Sequence, residues 1–139
     1  MLAALMFAAS VAAGVPDVAG LWRTPGDGGL VRVSHCGPSL CAALLTSDRL
    51  RQDPALKDIH NRDEAQRGRL LKGLELFKDF KGAGGAWRDG EIYNPHDGGT
   101  YHASLELQSP DRLKVTGCIF APLCETQVWE RAPDGTAAP

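Results

Sequence analysis

The stretch Trp87-Arg88-Asp89-Gly90-Glu91-Ile92-Tyr93-Asn94-Pro95-His96-Asp97-Gly98-Gly99-Thr100-Tyr101 reads as a β-hairpin. Ile92 and Tyr93 favour extended backbone, and turn chemistry follows them. Pro95 presets φ, the Asn94 and Asp97 side chains bond within their own turn, and Gly98 and Gly99 accept positive φ. Strand pairing resumes at Tyr101. The large aromatics Trp87, Tyr93 and Tyr101 thus surround one turn, where they either pack a sheet face or line the mouth of a pocket. Nothing in the stretch pairs a nucleophile with a base.

The flanking sequence follows the same grammar. Tyr101, Ala103, Leu105 and Leu107 alternate with His102, Ser104, Glu106 and Gln108, the period of a half-buried strand. Ser109-Pro110-Asp111 turns the chain into a strand with Leu113, Val115, Gly117 and Ile119 on its inward face, and Glu125 to Arg131 forms the last strand. Near the start, Val18 to Thr24 is extended and Pro25 to Gly29 is a turn. Leu30 to His35 then alternates Val31 and Val33 with Arg32 and Ser34, and Cys36-Gly37-Pro38-Ser39 leads into Leu40 to Thr46. About eight short strands joined by tight turns, with no βαβ alternation, argue for an all-β antiparallel barrel or sandwich. Closure would remove the exposed edges.

Two segments break this rhythm. Ser47 to Arg69 is rich in Asp, Arg, Gln and Lys, and a polar excursion of that length is more often a lid or binding loop than filler. A helical turn is expected near Asp53 to Ile59, with Asp53 as N-cap and Pro54 in the first helical position. Asp58, Asn61 and Asp63 are its candidate ligand contacts, against the alternative of Asx turns in a solvated loop. In Leu70 to Phe80, the positions Leu70, Leu71, Leu74 and Phe77 have helical spacing, but Gly73 costs a helix ~1 kcal/mol. A strand is the preferred reading, with Gly82 to Gly85 as the turn into the Trp87 strand.

The 139 residues, 43% hydrophobic and 23% charged, make one domain with enough chain for a core. A net charge of −2 gives no basic field for nucleic acid or anionic lipid. Met1 to Pro16 carries no charge and passes through Ser10-Val11-Ala12-Ala13, the grammar of a cleaved signal peptide over 1–13. The alternative reading is an apolar N-terminal strand, and the run lacks an initial Lys or Arg, which would place the true start codon upstream. It falls short of the ~20 apolar residues that span a bilayer, so no stable membrane insertion is expected. The mature domain is then 14–131, with a tail at 132–139 and a periplasmic or secreted location.

The four cysteines form the close pairs Cys36/Cys41 and Cys118/Cys124. In an exported chain disulfides lead, and local spacing favours pairing within each pair, although cross-pairing stays open if the segments lie side by side. A four-thiolate zinc site is the rival, but structural zinc spacings are usually tighter.

Gly20-x-Trp22, the Cys36/Cys41 turn, Asn61, Gly73-Leu74, the Trp87 to Tyr101 hairpin, Gly117 and Trp129-x-Arg131 occur in that order. In this the chain resembles bacterial domain-of-unknown-function family 2147 over essentially its whole mature length. Leu70 departs from the Pro usual there, and Asn94 from the usual Asp. The resemblance implies an exported bacterial protein without established activity. It also implies a small up-and-down β-barrel similar to calycins and lipocalins, with one long polar loop able to carry a short helix. A Gly-x-Trp in the first strand and an Arg in the last also resemble the lipocalin closure, in which a guanidinium lies over an indole. Arg131 would close on Trp22, with Trp129 as the competing partner.

No catalytic constellation is readable: His35, His60, His96 and His102 are scattered, no serine sits in a nucleophile elbow, and no Gly-rich loop opens a helix. His60 with Asp63, or His96 with Asp97, are single His-carboxylate pairs, too few for a metal site. Neither an enzyme nor a cofactor is expected. The expectation is a small apolar or amphipathic ligand at the barrel mouth, contacted by Asp58, Asn61, Asp63, Arg69, Trp87, Tyr93, Asp97 and Tyr101. The alternative is a packed envelope module without ligand.

Overall fold

Alternation of apolar and polar side chains produces strands, and the strands wind into a barrel. The computed structural model describes residues 16–133. Its strands are β1 (Gly20–Arg23), β2 (Leu30–Cys36), β3 (Ser39–Thr46), β4 (Phe77–Lys78), β5 (Lys81–Ala83), β6 (Ala86–Asn94), β7 (Gly99–Ser109), β8 (Arg112–Phe120) and β9 (Leu123–Arg131). All pair antiparallel in one sheet of order β3-β2-β1-β9-β8-β7-β6-β4, with β5 also on β6. Because β4 and β5 share one long partner, the wall has eight staves. Its two ends meet: Leu44 N donates to Leu74 O at 2.9 Å, and Leu76 N to Ala42 O at 2.7 Å. Those bonds nearly close an up-and-down barrel and leave no long bare edge.

The barrel is clasped at one end. The Arg131 guanidinium stacks over Trp22, 4.3 Å from the ring centroid, and donates to the carbonyls of Pro110, Ala19 and Asp17 at 2.7 to 2.8 Å. Trp22 is fully buried, and its indole N–H donates to Val18 O. Any Cβ at Gly20, whose φ is +137°, would collide with that guanidinium, which explains the Gly-x-Trp spacing physically. Trp129 takes no part in the closure. Two residues earlier on β9, it lies deeper in the barrel, stacks on Phe77 at 6.0 Å and donates to Gln127 Oε1.

Several local expectations are corrected. The short helix α1 is Asp48–Gln52, not Asp53 to Ile59. Ser47 Oγ caps it by accepting from Leu50 N, while buried Leu50 anchors it. Asp53 ends the helix, because its carboxylate turns forward to Ala55 N in an Asx turn. Within Leu70 to Phe80 only Phe77–Lys78 joins a ladder. Asp79, at φ 61°, bends the chain away, and Lys81–Ala83 pairs with β6 where a turn was expected from Gly82 onward. Ile119 is on the cavity side as expected, but at the open mouth it stays 62% exposed. Ala132, assigned to the tail, is buried and its N–H donates to Leu21 O. The signal peptide expected at 1–13 and the rest of the expected tail, 134–139, lie outside the described residues.

Both local disulfides are present, Cys36–Cys41 and Cys118–Cys124. Each cross-links a β-hairpin, and Cys118 stands directly opposite Cys124 in the ladder. No described helix is long and apolar enough to cross a membrane.

Candidate ligand cavity

Opposite the Trp22–Arg131 clasp the barrel opens into a cavity of about 640 Å³. Trp129, Val31 and Val115 line its depth, because alternation places every second residue of their strands inward, and Leu76 joins them from the segment just before β4. Ile92, Tyr93 and Tyr101 form the wall toward the mouth. The rim is built from the β1–β2 turn, the chain leaving β3 through α1, the loop around Leu56 to His60, the β6–β7 turn and the β8–β9 hairpin. A deep apolar wall below a polar rim suits an apolar or amphipathic guest.

The long loop is held to this wall by a buried carboxylate. Asp58, with a fully inaccessible side chain, accepts from the Tyr93 hydroxyl at 2.6 Å, from Asn61 Nδ2 at 2.9 Å and from Arg69 Nε at 2.9 Å. The Arg69 guanidinium also lies 5.4 Å from the Tyr93 ring centroid. Backbone bonds from Asp58 N to Arg69 O, and an isolated bridge of Lys57 with Leu70, close the loop's base. Asn61 Oδ1 accepts from Asp63 N, and Asp63 caps a 3₁₀ turn at Glu64–Gln66. Burial alone pushes the Asp58 carboxyl up, but the bonds from Tyr93, Asn61 and Arg69, with the Arg69 charge, bring it net below its ordinary 3.8. Burial, and then the adjacent carboxylate, raise the Tyr93 hydroxyl to about 12. Tyr93 is therefore a neutral donor and Asp58 an anionic acceptor at neutral pH.

The β6–β7 turn sits against this loop. Gly98 has φ +72°, and a Cβ there would run into the His60 carbonyl, so only glycine allows the approach. Asp97 accepts from Gly99 N at 2.7 Å and from the Tyr101 hydroxyl.

Of the ligand contacts expected from sequence, Tyr93, Asp97 and Tyr101 line the cavity. Asp58, Asn61, Asp63 and Arg69 do not. They form the latch that shapes the rim, with the loop's Lys57, Ile59 and His60 facing the cavity instead. Trp87 is corrected outright: it is buried at the clasped end, with its indole N–H on Gly84 O and its ring 5.9 Å from His35. Arg49, Lys57, Glu125 and Trp129 were missed as lining residues. Helical phase would have exposed Arg49 only if α1 had been placed correctly, and nothing local marks the others. Among the described residues no group of three or more His, Cys, Asp or Glu could hold a metal ion.

An antiparallel barrel clasped at one end and open to an apolar cavity at the other is a lipocalin-like barrel. A solved Helicobacter pylori structure, protein HP1028, described as belonging to the lipocalin family, superposes with a TM-score of 0.76. The match is 22% identical and covers 86% of this chain and 85% of that one, a likeness of fold. The chain belongs to the bacterial family described as "Uncharacterized protein conserved in bacteria (DUF2147)", whose model matches residues 20–131. A search of curated proteins found no match.

Proposed function

We propose that this protein is exported and binds a small apolar or amphipathic molecule in its barrel, without catalysing a reaction on it. The observation that carries the reading is the cavity of about 640 Å³, within the range of small-molecule sites and walled mainly by apolar side chains. A barrel serving only as a packed module gains stability by filling such space. Export is supported by the uncharged run Met1 to Pro16 together with two disulfides, which fit an oxidising compartment. The non-catalytic reading rests on the histidines: His60 and His96 line the rim, but among the described residues neither imidazole is hydrogen-bonded to a carboxylate or set beside a nucleophile. Another, His35, is engaged with Asp17 at 2.8 Å at the clasped end, away from the cavity.

Native mass spectrometry of protein purified from its own host should reveal a bound small molecule. Titration with fatty acids should quench Trp129 at the cavity floor, so Trp129→Phe should remove the response and Trp87→Phe should keep it. Val115→Phe, which fills the floor, should abolish binding in a folded protein. Absence of both a co-purified molecule and any saturable quenching would refute the proposal.

A further inference from the structure

The rim charges are divided across the mouth. Between β3 and Leu71 the lining side chains include Arg49, Lys57 and His60 and no carboxylate. The lining residues of the β6–β7 turn and of β8 and β9 include His96, Asp97 and Glu125 and no Lys or Arg. Asp27, on the β1–β2 turn, lines the mouth beside the first arc, its carbonyl accepting from Asp48 N at the start of α1, and adds a carboxylate there.

These charges differ in availability. Ion pairs among the described residues join His35 with Asp17, Arg51 with Asp48, Arg67 with Glu64, Arg69 with Asp58, and Arg88 with Asp89. Asp27, Arg49, Lys57 and Glu125 are in none of them. Asp97 is occupied in its own turn by Gly99 N and Tyr101. Glu125, exposed on β9 and lining the mouth, therefore supplies the open negative charge on its arc.

Resting on the binding reading above, we infer that the ligand is a single-chain amphiphile whose head group carries both signs. Its tail occupies the apolar depth lined by Val31, Leu76, Val115 and Trp129. The anionic part of the head faces Arg49 and Lys57, and the cationic part faces Glu125. A head of one sign gains at one arc and is repelled at the other, whereas a zwitterion gains at both. Because the rim is open to solvent, each contact is modest, and discrimination comes from their sum.

The test uses four amphiphiles with the same twelve-carbon tail, about equal in apolar surface: dodecylphosphocholine, laurate, dodecyltrimethylammonium and dodecyl maltoside. Each is titrated below its micelle concentration against Trp fluorescence. Dodecylphosphocholine should bind tightest. Arg49→Gln and Lys57→Gln should each weaken it about 2- to 5-fold and tighten dodecyltrimethylammonium. Glu125→Gln should weaken dodecylphosphocholine by a similar factor and tighten laurate. Equal affinity for all heads, a preference for one sign, or variants that shift all four amphiphiles alike would overturn the inference and leave the binding reading standing. Failure of all four to bind, dodecyl maltoside included, would overturn both.

Discussion

Asp58 is the position where one atom group joins loop, wall and rim. Asp58→Ala removes an acceptor facing the Tyr93 hydroxyl, the Asn61 amide and the Arg69 guanidinium at 2.6, 2.9 and 2.9 Å. Arg69 is 39% exposed on its side chain, so it can rehydrate and its share of the loss is small. The Tyr93 hydroxyl and Asn61 amide are more enclosed, and each lost bond costs ~1 to 3 kcal/mol when the donor is left dry. The expected loss is about 3 to 5 kcal/mol, in the range for breaking a buried charge network. Asp58→Asn should lose less, about 2 to 4 kcal/mol, because one oxygen still accepts while the new NH₂ faces donors. Urea denaturation measures both. A double-mutant cycle of Asp58→Asn with Tyr93→Phe should return a coupling of at least ~1 kcal/mol. Amide exchange should accelerate through 56–71 before the strands open. A coupling indistinguishable from zero, or unchanged exchange in that loop, would refute the latch.

The same network sets a pH dependence. Folding lowers the Asp58 carboxyl below 3.8, so the unfolded chain binds more protons in that range. The contribution is complete above the unfolded value and is lost as pH falls through the folded one. Tyr93 acts in the opposite direction: its hydroxyl rises from 10.0 to about 12, so its contribution is complete below 10 and disappears as pH climbs toward 12. Asp58→Asn should flatten the acid limb, and Tyr93→Phe the alkaline limb, of a stability-pH profile.

At the clasped end, Arg131→Ala should cost about 2 to 4 kcal/mol, since it removes the cation–π contact and leaves carbonyls without their donor. Gly20→Ala should be destabilising in the same urea assay because it displaces that guanidinium and strains a backbone at φ +137°, and in the Arg131→Ala background its cost should shrink to the backbone part. Replacing either cysteine pair with serine should cost about 2 kcal/mol and retain the fold, as the closed loops are short, and intact mass with and without reductant should count both bonds. Serine at Ile119, Phe120 or Leu123, exposed by 62%, 60% and 54%, should change stability by no more than ~0.5 kcal/mol. Leu113→Ala, at a fully buried position, should cost about 2 to 5 kcal/mol.

What was legible in the sequence was periodic or local. The alternation from Tyr101 to Leu107 gave β7, the Asn94 to Gly99 turn residues gave its hairpin, and short cysteine spacings matched the observed disulfides. Gly20, Trp22 and Arg131 were assignable because the closure follows from a known geometry. What failed depended on distance along a strand or across the chain. Trp87 and Tyr93 both belong to β6, but six residues of strand span about 20 Å, so they reach opposite ends of the barrel. A bulge at Arg88–Asp89, with Asp89 at φ 55°, further breaks their alternation. Asp53 before Pro54 had the chemistry of a helix start, but the helix begins after Ser47, where buried Leu50 anchors it, which no propensity could show. The bond between Asp58 and Tyr93 joins positions 35 residues apart and leaves no local signature.

The two ends of the barrel do different physical work. A cavity of about 640 Å³ in so short a chain withdraws packing from the core, so cohesion must come from elsewhere. Around Trp22 it comes from Arg131, buried Val18 and Val33, and the Cys36–Cys41 cross-link, all remote from the opening. The mouth holds exposed charges and an exposed apolar hairpin that contribute little to stability. Substitutions at the clasp should therefore lower stability while leaving the affinity of the folded protein unchanged. Rim substitutions such as Lys57→Gln should do the reverse. Asp58 should do both, because it is buried like a clasp residue yet fixes the loop that carries Lys57 and His60 to the rim.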